Sequence, residues 1–475
     1  MTTREEEMRV QEGWRAKGDQ RFSAISDELL IGEFLSPSAR RVRHSNALKT
    51  LVNFAMSETD YYAKALEGLS ESTLAFEDPA TLAELPVLTK ADIQLKGESL
   101  RARRLPKGQE IAQKRQSSGT TGPPTVVYHT NVSRSVSPFV KQREYRWFRF
   151  EPEGVMASIR LPSQLPRSDG GRETGVGEVA LLEGWPFMDG IFETGRAYGY
   201  SVFNPVEHQR DWLNELEPDY LTSYPESLEH LAFASAEVPL NQSFKGLHAI
   251  SEMLTPGMAR HVESAFGAPV VQNYGLNEVG IVAAKCREGG RYHVHDEFAL
   301  VEITNDDGLP VAPGDTGRIL VTYFGNLALP LIRYDTGDLA EAVAGECPCG
   351  RSLPGFGEII GRYSRIAHLP EGTLGNVAVL RDALDEMAPE MAAPLRKFQV
   401  QHYRDGRFEL RLVSAADLSD QLLAYLSERW SSALGSDAPA LNIVRVEDIA
   451  RGPGGKFQEF MSEFMPSPDE EAADG

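Results

Sequence analysis

Cysteine is scarce in this chain of 475 residues: only three are present. So small and odd a number argues against a disulfide framework and fits a reducing compartment. Long apolar runs are missing too. No stretch approaches the roughly 20 residues that a membrane span requires, and the opening MTTREEEMRVQEGW is charged where a secretory signal needs an apolar centre. A cytoplasmic protein is expected, with no membrane partner. Positive charge is in deficit: 48 Lys and Arg against 69 Asp and Glu leave a formal net charge of −21, which disfavours nucleic acid as the main partner. What remains is an acidic chain, long enough for two or three domains and a sizeable core, with soluble enzyme as its default class.

No internal repeat is evident. Over residues 41–66 the spacing of Leu48, Leu51, Val52, Ala55 and Tyr62 predicts one amphipathic helix. LPVLTKADI, residues 85–93, predicts a turn into another helix, with Thr89 as N-cap and Asp92 closing a variant capping box. Short apolar runs at 126–128, 155–159, 200–203, 270–271 and 319–321 alternate with polar, helix-like segments, the pattern of α/β layers around a sheet. After residue 361 the character changes. FQVQHYRDGRFELRLV, residues 398–413, alternates apolar and polar residues on both sides of Asp405-Gly406, a hairpin signal. With helix-like segments on either side, the last part predicts a compact α+β unit. The tail from Pro466 has almost nothing apolar and is expected to be disordered.

The stretch QSSGTTGPPTVVYHT, residues 116–130, sets Ser117, Ser118, Thr120 and Thr121 around Gly119 and Gly122 before Pro123 and Pro124. Glycines let backbone amides approach an anion and the hydroxyls add donors, so the loop suits a phosphate cradle. It lacks the lysine of a Walker loop, and a Ser/Gly-rich surface turn is equally compatible. Four further stretches bear on the choice: NYGLNE (273–278), RYDTGD (333–338), Gly361-Arg362 and GGK (454–456). In this order and at these separations they resemble the adenylate-forming superfamily of acyl-CoA synthetases, luciferases and peptide-synthetase adenylation domains. LPVLTKADI, SSGTTGPPT, YGLNE and CPCGRSLPGFGEIIGR resemble its phenylacetate-CoA ligase branch in particular. The resemblance extends from about residue 85 to 456.

The resemblance implies an α/β fold, with a large multi-layered N-terminal adenylation domain over 1–360 and a small, mobile α+β cap over 361–465. It also implies a reaction: a carboxylic acid attacks the α-phosphate of ATP, pyrophosphate leaves, and a second nucleophile takes the acyl group. Residues Ser117 to Gly122 would hold the β- and γ-phosphates. Tyr274, followed by Gly275, would lie against adenine, and Glu278 would help coordinate Mg²⁺. Asp338 would accept hydrogen bonds from the ribose hydroxyls, with Arg333 and Arg362 as neighbours of ribose or phosphate. Lys456, carried by the cap, would stabilise negative charge at the reacting phosphate. An acyl pocket is expected from 224–231, 175–188 and 251–254. These segments hold Tyr224, Trp185, Phe187 and Met253, an aromatic set suited to a planar aryl acid and equally common in a core.

All three cysteines fall in one region. Cys286, Cys347 and Cys349 with His293 provide enough ligands for a closed tetrahedral zinc site, though the spacing is no standard finger and scattered buried thiols fit it as well. The resemblance to phenylacetate-CoA ligase-like proteins, some of which carry structural zinc here, favours the metal; His295 is the alternative fourth ligand. The chain also departs from the family pattern. No lysine follows TTG at Pro123 or Thr125, Ser364 and Arg365 stand where acidic hinge residues are usual, and the loop HLPEGTLGNVAV is long. The expected reaction is therefore acid adenylation followed by transfer to coenzyme A. Transfer to an amine or carrier protein is the alternative, and a non-catalytic nucleotide-binding homologue the third reading. A homodimer is the assembly to test.

Overall fold

The computed structural model describes residues 20–70, 79–116, 125–167, 171–188, 190–362, 394–403, 405–434, 438–449 and 460–463, with shorter pieces between them. The chain divides into two units: Met1–Tyr224, Asn241–Ser251 and Gly267–Ile360 form the first, and Pro225–Leu240, Glu252–Phe266 and Gly361–Gly475 the second.

In the first unit the expected helix over 41–66 is two helices. Pro37–Glu58 starts on the Ser36 cap, and Asp60–Ala65 follows after Thr59 turns extended at φ −127°. Thr59 makes this break: its hydroxyl donates to the Ala55 carbonyl at 2.9 Å and accepts from the Tyr62 amide at 3.2 Å. Leu48, Leu51, Val52, Ala55 and Tyr62 are all buried. At Thr89 the capping box forms as the sequence predicts and opens the helix Lys90–Leu100.

The strands then follow. β1 (Ile111–Gln116) and β2 (Val126–Thr130) form an antiparallel hairpin closed by the pair Gln116 and Val126. β3 (Met156–Arg160), β4 (Val179–Leu182), β5 (Ala197–Ser201), β6 (Tyr220–Ser223), β7 (Gly246–Ala249) and β8 (Val270–Val271) build a six-stranded sheet in the order β4-β5-β3-β6-β7-β8. All neighbours are parallel except the edge strand β4. β3 comes first along the chain yet lies inside the sheet, so the strand order reverses around it. In open α/β sheets the crevice outside the carboxyl ends at such a reversal is where ligands bind.

Two antiparallel four-stranded sheets complete the unit. β9 (Asn273–Leu276), β10 (Gly280–Lys285), β11 (Tyr292–Val294) and β15 (Gly355–Phe356) make one; β12 (Ala299–Thr304), β13 (Thr316–Tyr323), β14 (Leu331–Glu341) and β16 (Ile359–Arg362) make the other. Their inner faces share a core with the early helices, including Leu51, Ile93, Val282, Tyr292, Val321 and Tyr334.

The helix Ser137–Trp147 is one of the polar, helix-like segments, yet every residue from Pro138 to Trp147 is buried, Lys141, Arg143, Glu144 and Arg146 included. Buried charges must be matched. Glu33 accepts from Arg146, from the Trp147 indole at 3.1 Å and from Arg351 at 3.0 Å. Arg143 forks onto Glu297 at 2.9 and 3.0 Å. Asp296 receives Arg40, Arg43 and His44, which hold its carboxyl far below the usual range despite burial.

In the second unit, β19 (Leu395–His402), β20 (Phe408–Ser414), β21 (Leu441–Val446) and β22 (Phe460–Ser462) form a sheet in the order β21-β20-β19-β22; β17 (Ile366–His368) and β18 (Leu374–Asn376) are a separate pair. The expected hairpin is β19-β20, turning at Gly406 with φ +82°. Its apolar face packs Val400, Phe408, Leu410 and Leu412 on Leu422, Leu426 and Trp430 of the helix Asp420–Leu434. The helices Pro225–Glu237 and Pro256–Phe266 also belong to this unit, and Lys397 lies 4.0 Å from Glu226. No described helix is long and apolar enough to cross a membrane.

Candidate active site

Tyr274 and Asp338 come from different sheets and meet. The Tyr274 hydroxyl donates to the Asp338 carboxylate at 2.8 Å, both residues being buried. The sequence T-G-D, ordinarily a turn, is here an outward bulge within β14. Arg318 pairs with Leu339 and Leu320 with Asp335, so two steps on β13 face four on β14. Gly337 makes the bulge possible with φ +74°, and the Thr336 hydroxyl accepts from the Asp338 amide at 3.1 Å. Phe356 stands edge-on to Tyr274 with ring centroids 5.9 Å apart. Gly275 is required for a different reason: a Cβ there would sit 2.8 Å from the Gly280 carbonyl oxygen across the β9-β10 turn.

That turn carries Glu278, half-buried. It is tied to the β1-β2 hairpin through His129 on β2, whose Nε2 lies 2.9 Å from the Asn277 carbonyl. Burial holds the His129 pKa below its usual value, so the neutral ring donates this bond. Residues 117–124 lie outside the described residues. They connect β1 to β2 in the sequence. Of the two positions where the superfamily has lysine, Thr125 is buried and accepts from Gln94 at 3.2 Å, so that side chain faces the fold.

Arg333 is placed differently from a ribose or phosphate neighbour. Its guanidinium is buried and fully used: it bonds Glu302 at 3.1 Å twice, and the carbonyls of Ala83, Leu85 and Gly308. With its amide on Thr322 Oγ1 and its carbonyl receiving the Leu88 amide at 3.1 Å, Arg333 clamps the LPVLTKADI segment onto β14. The Arg362 side chain and Lys456 lie outside the described residues, as does the tail from Pro466.

The aromatic set divides. Trp185 is core: it packs on Trp14, Tyr145, Phe150 and Tyr220, and its indole donates to the Gly154 carbonyl at 3.0 Å. Tyr224 is buried, its hydroxyl donating to Gln164 at 2.9 Å. Met253 is 36% exposed and belongs to the second unit. Phe187 is half-buried with φ +70°, and its ring faces the Arg160 guanidinium at 4.6 Å and the Lys141 ammonium at 5.6 Å. These two cations, with Glu144 and His248, are the residues the sequence reading missed. Lys141 donates to Glu144 and to His248 Nε2 at 3.1 Å, and Glu144 accepts from Asn273, next to Tyr274, at 3.2 Å. Burial keeps His248 neutral, so its Nδ1–H is left for Tyr145 and Thr222.

The cysteines converge. The ligand atoms of Cys286, His293, Cys347 and Cys349 all lie within 4.8 Å of one another, every residue buried. Cys347 Sγ is 3.7 Å from Cys286 Sγ, and Cys349 Sγ is 3.3 Å from His293 Nε2. The Gly289 and Arg351 amides donate to sulfur at 3.4 Å each, and the Leu353 carbonyl lies 3.3 Å from His293 Nδ1. His295 is not part of this group: it stacks on Trp147 and lies 3.4 Å from Glu144.

Four curated proteins named phenylacetate-coenzyme A ligase match the chain, among them that of Thermus thermophilus, 25% identical over 346 residues, which are 70% of this chain and 72% of that protein. A fumarate–(S)-2,3-diaminopropanoate ligase of Enterobacter agglomerans is 27% identical over 39% of this chain and 47% of its own length. A solved 2-hydroxyisobutyryl-CoA ligase, in the postadenylation state in complex with R3-HIB-AMP, superposes with a TM-score of 0.71 over 93% of both chains at 18% identity. No family model matches. Motifs in order, the Tyr274–Asp338 junction and these relatives agree: the chain is similar in sequence to phenylacetate-coenzyme A ligases and shares the fold of the solved acyl-CoA ligase.

Proposed function

We infer that the protein is an ATP-dependent acid–coenzyme A ligase, acting on a carboxylic acid of aryl type. The carrying observation is the Tyr274–Asp338 hydrogen bond at 2.8 Å, which joins two motifs separated by 64 residues into one wall. In this reading the Tyr274 ring lies on adenine, and Asp338 accepts from the ribose hydroxyls, as an ionised carboxylate can do from two donors at once. Glu278 is the oxygen ligand for Mg²⁺. The Ser117–Gly122 loop, at the end of a hairpin tied to the Glu278 turn, receives the β- and γ-phosphates.

The acid's carboxylate oxygen attacks the α-phosphorus, the bond to the bridging oxygen breaks and pyrophosphate departs; Lys456 balances the developing charge, and a Mg²⁺ held by Glu278 would add to that. The thiol of coenzyme A, losing its proton, then attacks the acyl carbon and AMP leaves. The Cys286, His293, Cys347 and Cys349 set suits structural Zn²⁺. Sulfur ligands at about 2.3 Å and nitrogen at about 2.0–2.1 Å from a tetrahedral ion lie roughly 3.5–3.8 Å apart, close to the separations of 3.7 and 3.3 Å here. With every position filled by protein, the ion would pin the 286–293 and 347–349 segments and do no chemistry. A cytoplasmic enzyme fits this chemistry.

The test is a carboxylate-dependent ATP–pyrophosphate exchange screen over aryl, fatty and amino acids, with products identified after adding coenzyme A. Exchange and a thioester are expected; no exchange with any acid, while ATP still binds, overturns the reading. The diaminopropanoate ligase relative favours one second reading, in which an amine takes the acyl group. An amide forming in preference to the thioester, when both acceptors are supplied, would establish it.

A further inference from the structure

The buried guanidinium groups described in the first unit have acidic partners, whereas half-buried Arg160 has none. Arg40 and Arg43 meet Asp296, Arg143 meets Glu297, Arg146 and Arg351 meet Glu33, and Arg333 meets Glu302. Arg160 meets none among the described residues. Its Nε is buried without an acceptor, and its guanidinium faces the Phe187 ring at 4.6 Å. The other groups that act on its charge are the hydroxyls of Tyr145 and Tyr224. A guanidinium largely withdrawn from water with no counter-charge is costly, and a protein that retains one leaves the counter-charge to come from elsewhere. The place is also specific. Arg160 is the last residue of β3, at the carboxyl end of the strand around which the sheet order reverses.

The route from Arg160 to the nucleotide side is short. Phe187 stands between Arg160 and Lys141, and Lys141 leads through Glu144 and Asn273 to Tyr274. An acid whose reacting carboxylate lies toward Tyr274 and Glu278 therefore directs its far end toward Phe187 and Arg160. Lys141 is not available for that end, since Glu144 and His248 already receive it.

We propose that Arg160 binds a second carboxylate of the acyl substrate, so that the preferred acids are dicarboxylates, with Phe187 packing on the carbon frame between the two charged ends. This rests on the ligase reading and names the substrate class within it. A planar guanidinium suits this task because its fork matches a carboxylate bidentately.

The experiment compares matched acids in ATP–pyrophosphate exchange: butanoate with succinate, benzoate with isophthalate, and phenylacetate with 4-carboxyphenylacetate. The parent, Arg160→Met and Arg160→Lys are assayed, and each protein's melting midpoint is recorded. In at least one pair the parent should favour the dicarboxylate by about tenfold or more in kcat/KM. Arg160→Met should lower that acid by roughly 10- to 100-fold, the range for a hydrogen bond to a charged group, and leave its monocarboxylate partner within about threefold. Arg160→Lys should fall between. Arg160→Met should melt at or above the parent, because it removes an unmatched, largely desolvated charge and Met still packs on the Phe187 ring. Exchange that favours the monocarboxylate in every pair, or a loss in Arg160→Met that is equal for both members, overturns the proposal and leaves the ligase reading standing. So does an Arg160→Met protein that melts lower with its acid preference unchanged. No exchange with any acid overturns the ligase reading itself.

Discussion

Replacing Arg333 with Met separates a frame role from a nucleotide role. The guanidinium is buried against Glu302, the side chains being 2% and 12% exposed, and it also satisfies the carbonyls of Ala83, Leu85 and Gly308. Met fills much of the volume but leaves Glu302 without its counter-charge and three carbonyls without their donor. Removing one partner of a buried pair costs about 3–5 kcal/mol. In a unit of this size, at about 2.1 cal/mol/K of unfolding entropy per residue, that lowers the melting midpoint by roughly 5 °C.

The loss should also depend on pH. Burial already raises the Glu302 pKa above its ordinary 4.5, against the pull of Arg333. A carboxyl with a raised folded pKa binds its proton more tightly in the folded state, so its contribution to stability falls as pH rises through the interval above 4.5. Without Arg333 the pKa rises further and the interval widens. The Arg333→Met deficit should therefore be larger at pH 8 than at pH 5.5, and adding Glu302→Gln should recover part of it. The assays are thermal melts across pH, with the KM for ATP measured on the folded protein and expected within about threefold of the parent. A variant that melts like the parent while its KM for ATP rises tenfold would refute the reasoning.

Other outcomes follow from the same geometry. Purified protein should hold about one equivalent of zinc by elemental analysis, and Cys349→Ser should lose it together with several degrees of melting midpoint. Gly289→Ala should do the same, since its Cβ would lie 2.1 Å from Cys347 Sγ. Tyr274→Phe, which deletes the donor to Asp338, should raise the KM for ATP by about tenfold, the value of one hydrogen bond to a charged group; an unchanged KM would count against the ribose role of Asp338. Lys456→Ala should slow exchange by about 100-fold or more, and exchange at the parent rate would remove Lys456 from the mechanism.

The local rules read well from sequence. The Thr89 capping box, the β19-β20 turn at Gly406 and the short apolar strands depend on neighbours a few residues away, and they stand where expected. The cluster of Cys286, His293, Cys347 and Cys349 was legible for another reason, since cysteine is scarce in this chain. Residues whose role is set by distant partners were not legible. Arg333 opens the RYDTGD motif, yet Glu302 and the Leu85 carbonyl decide its orientation. The charges of the helix Ser137–Trp147 imply a solvated face until Glu33 and Glu297 are brought in to match them. Arg160 gave no signal because an arginine that ends a strand is ordinarily a surface residue. Trp185 has the composition of a ligand wall and the contacts of a core.

The Glu33 lattice has a consequence for how the chain is made. Its carboxylate near the N-terminus receives Arg146, Trp147 and Arg351, the last of them 318 residues away. During synthesis Glu33 emerges long before any of these, and the cluster stays incomplete until residue 351 has cleared the ribosome. Until residue 297 is out, the helix Ser137–Trp147 lacks the acid that matches Arg143, and until residue 351 is out Glu33 lacks one of its donors, so water must keep the cluster open. The first unit can thus close only late in translation, so its biogenesis should lean on chaperones that hold an unfinished chain. A nascent chain halted before residue 351 should remain open to protease, and one extended far enough for residue 360 to leave the ribosome should become resistant.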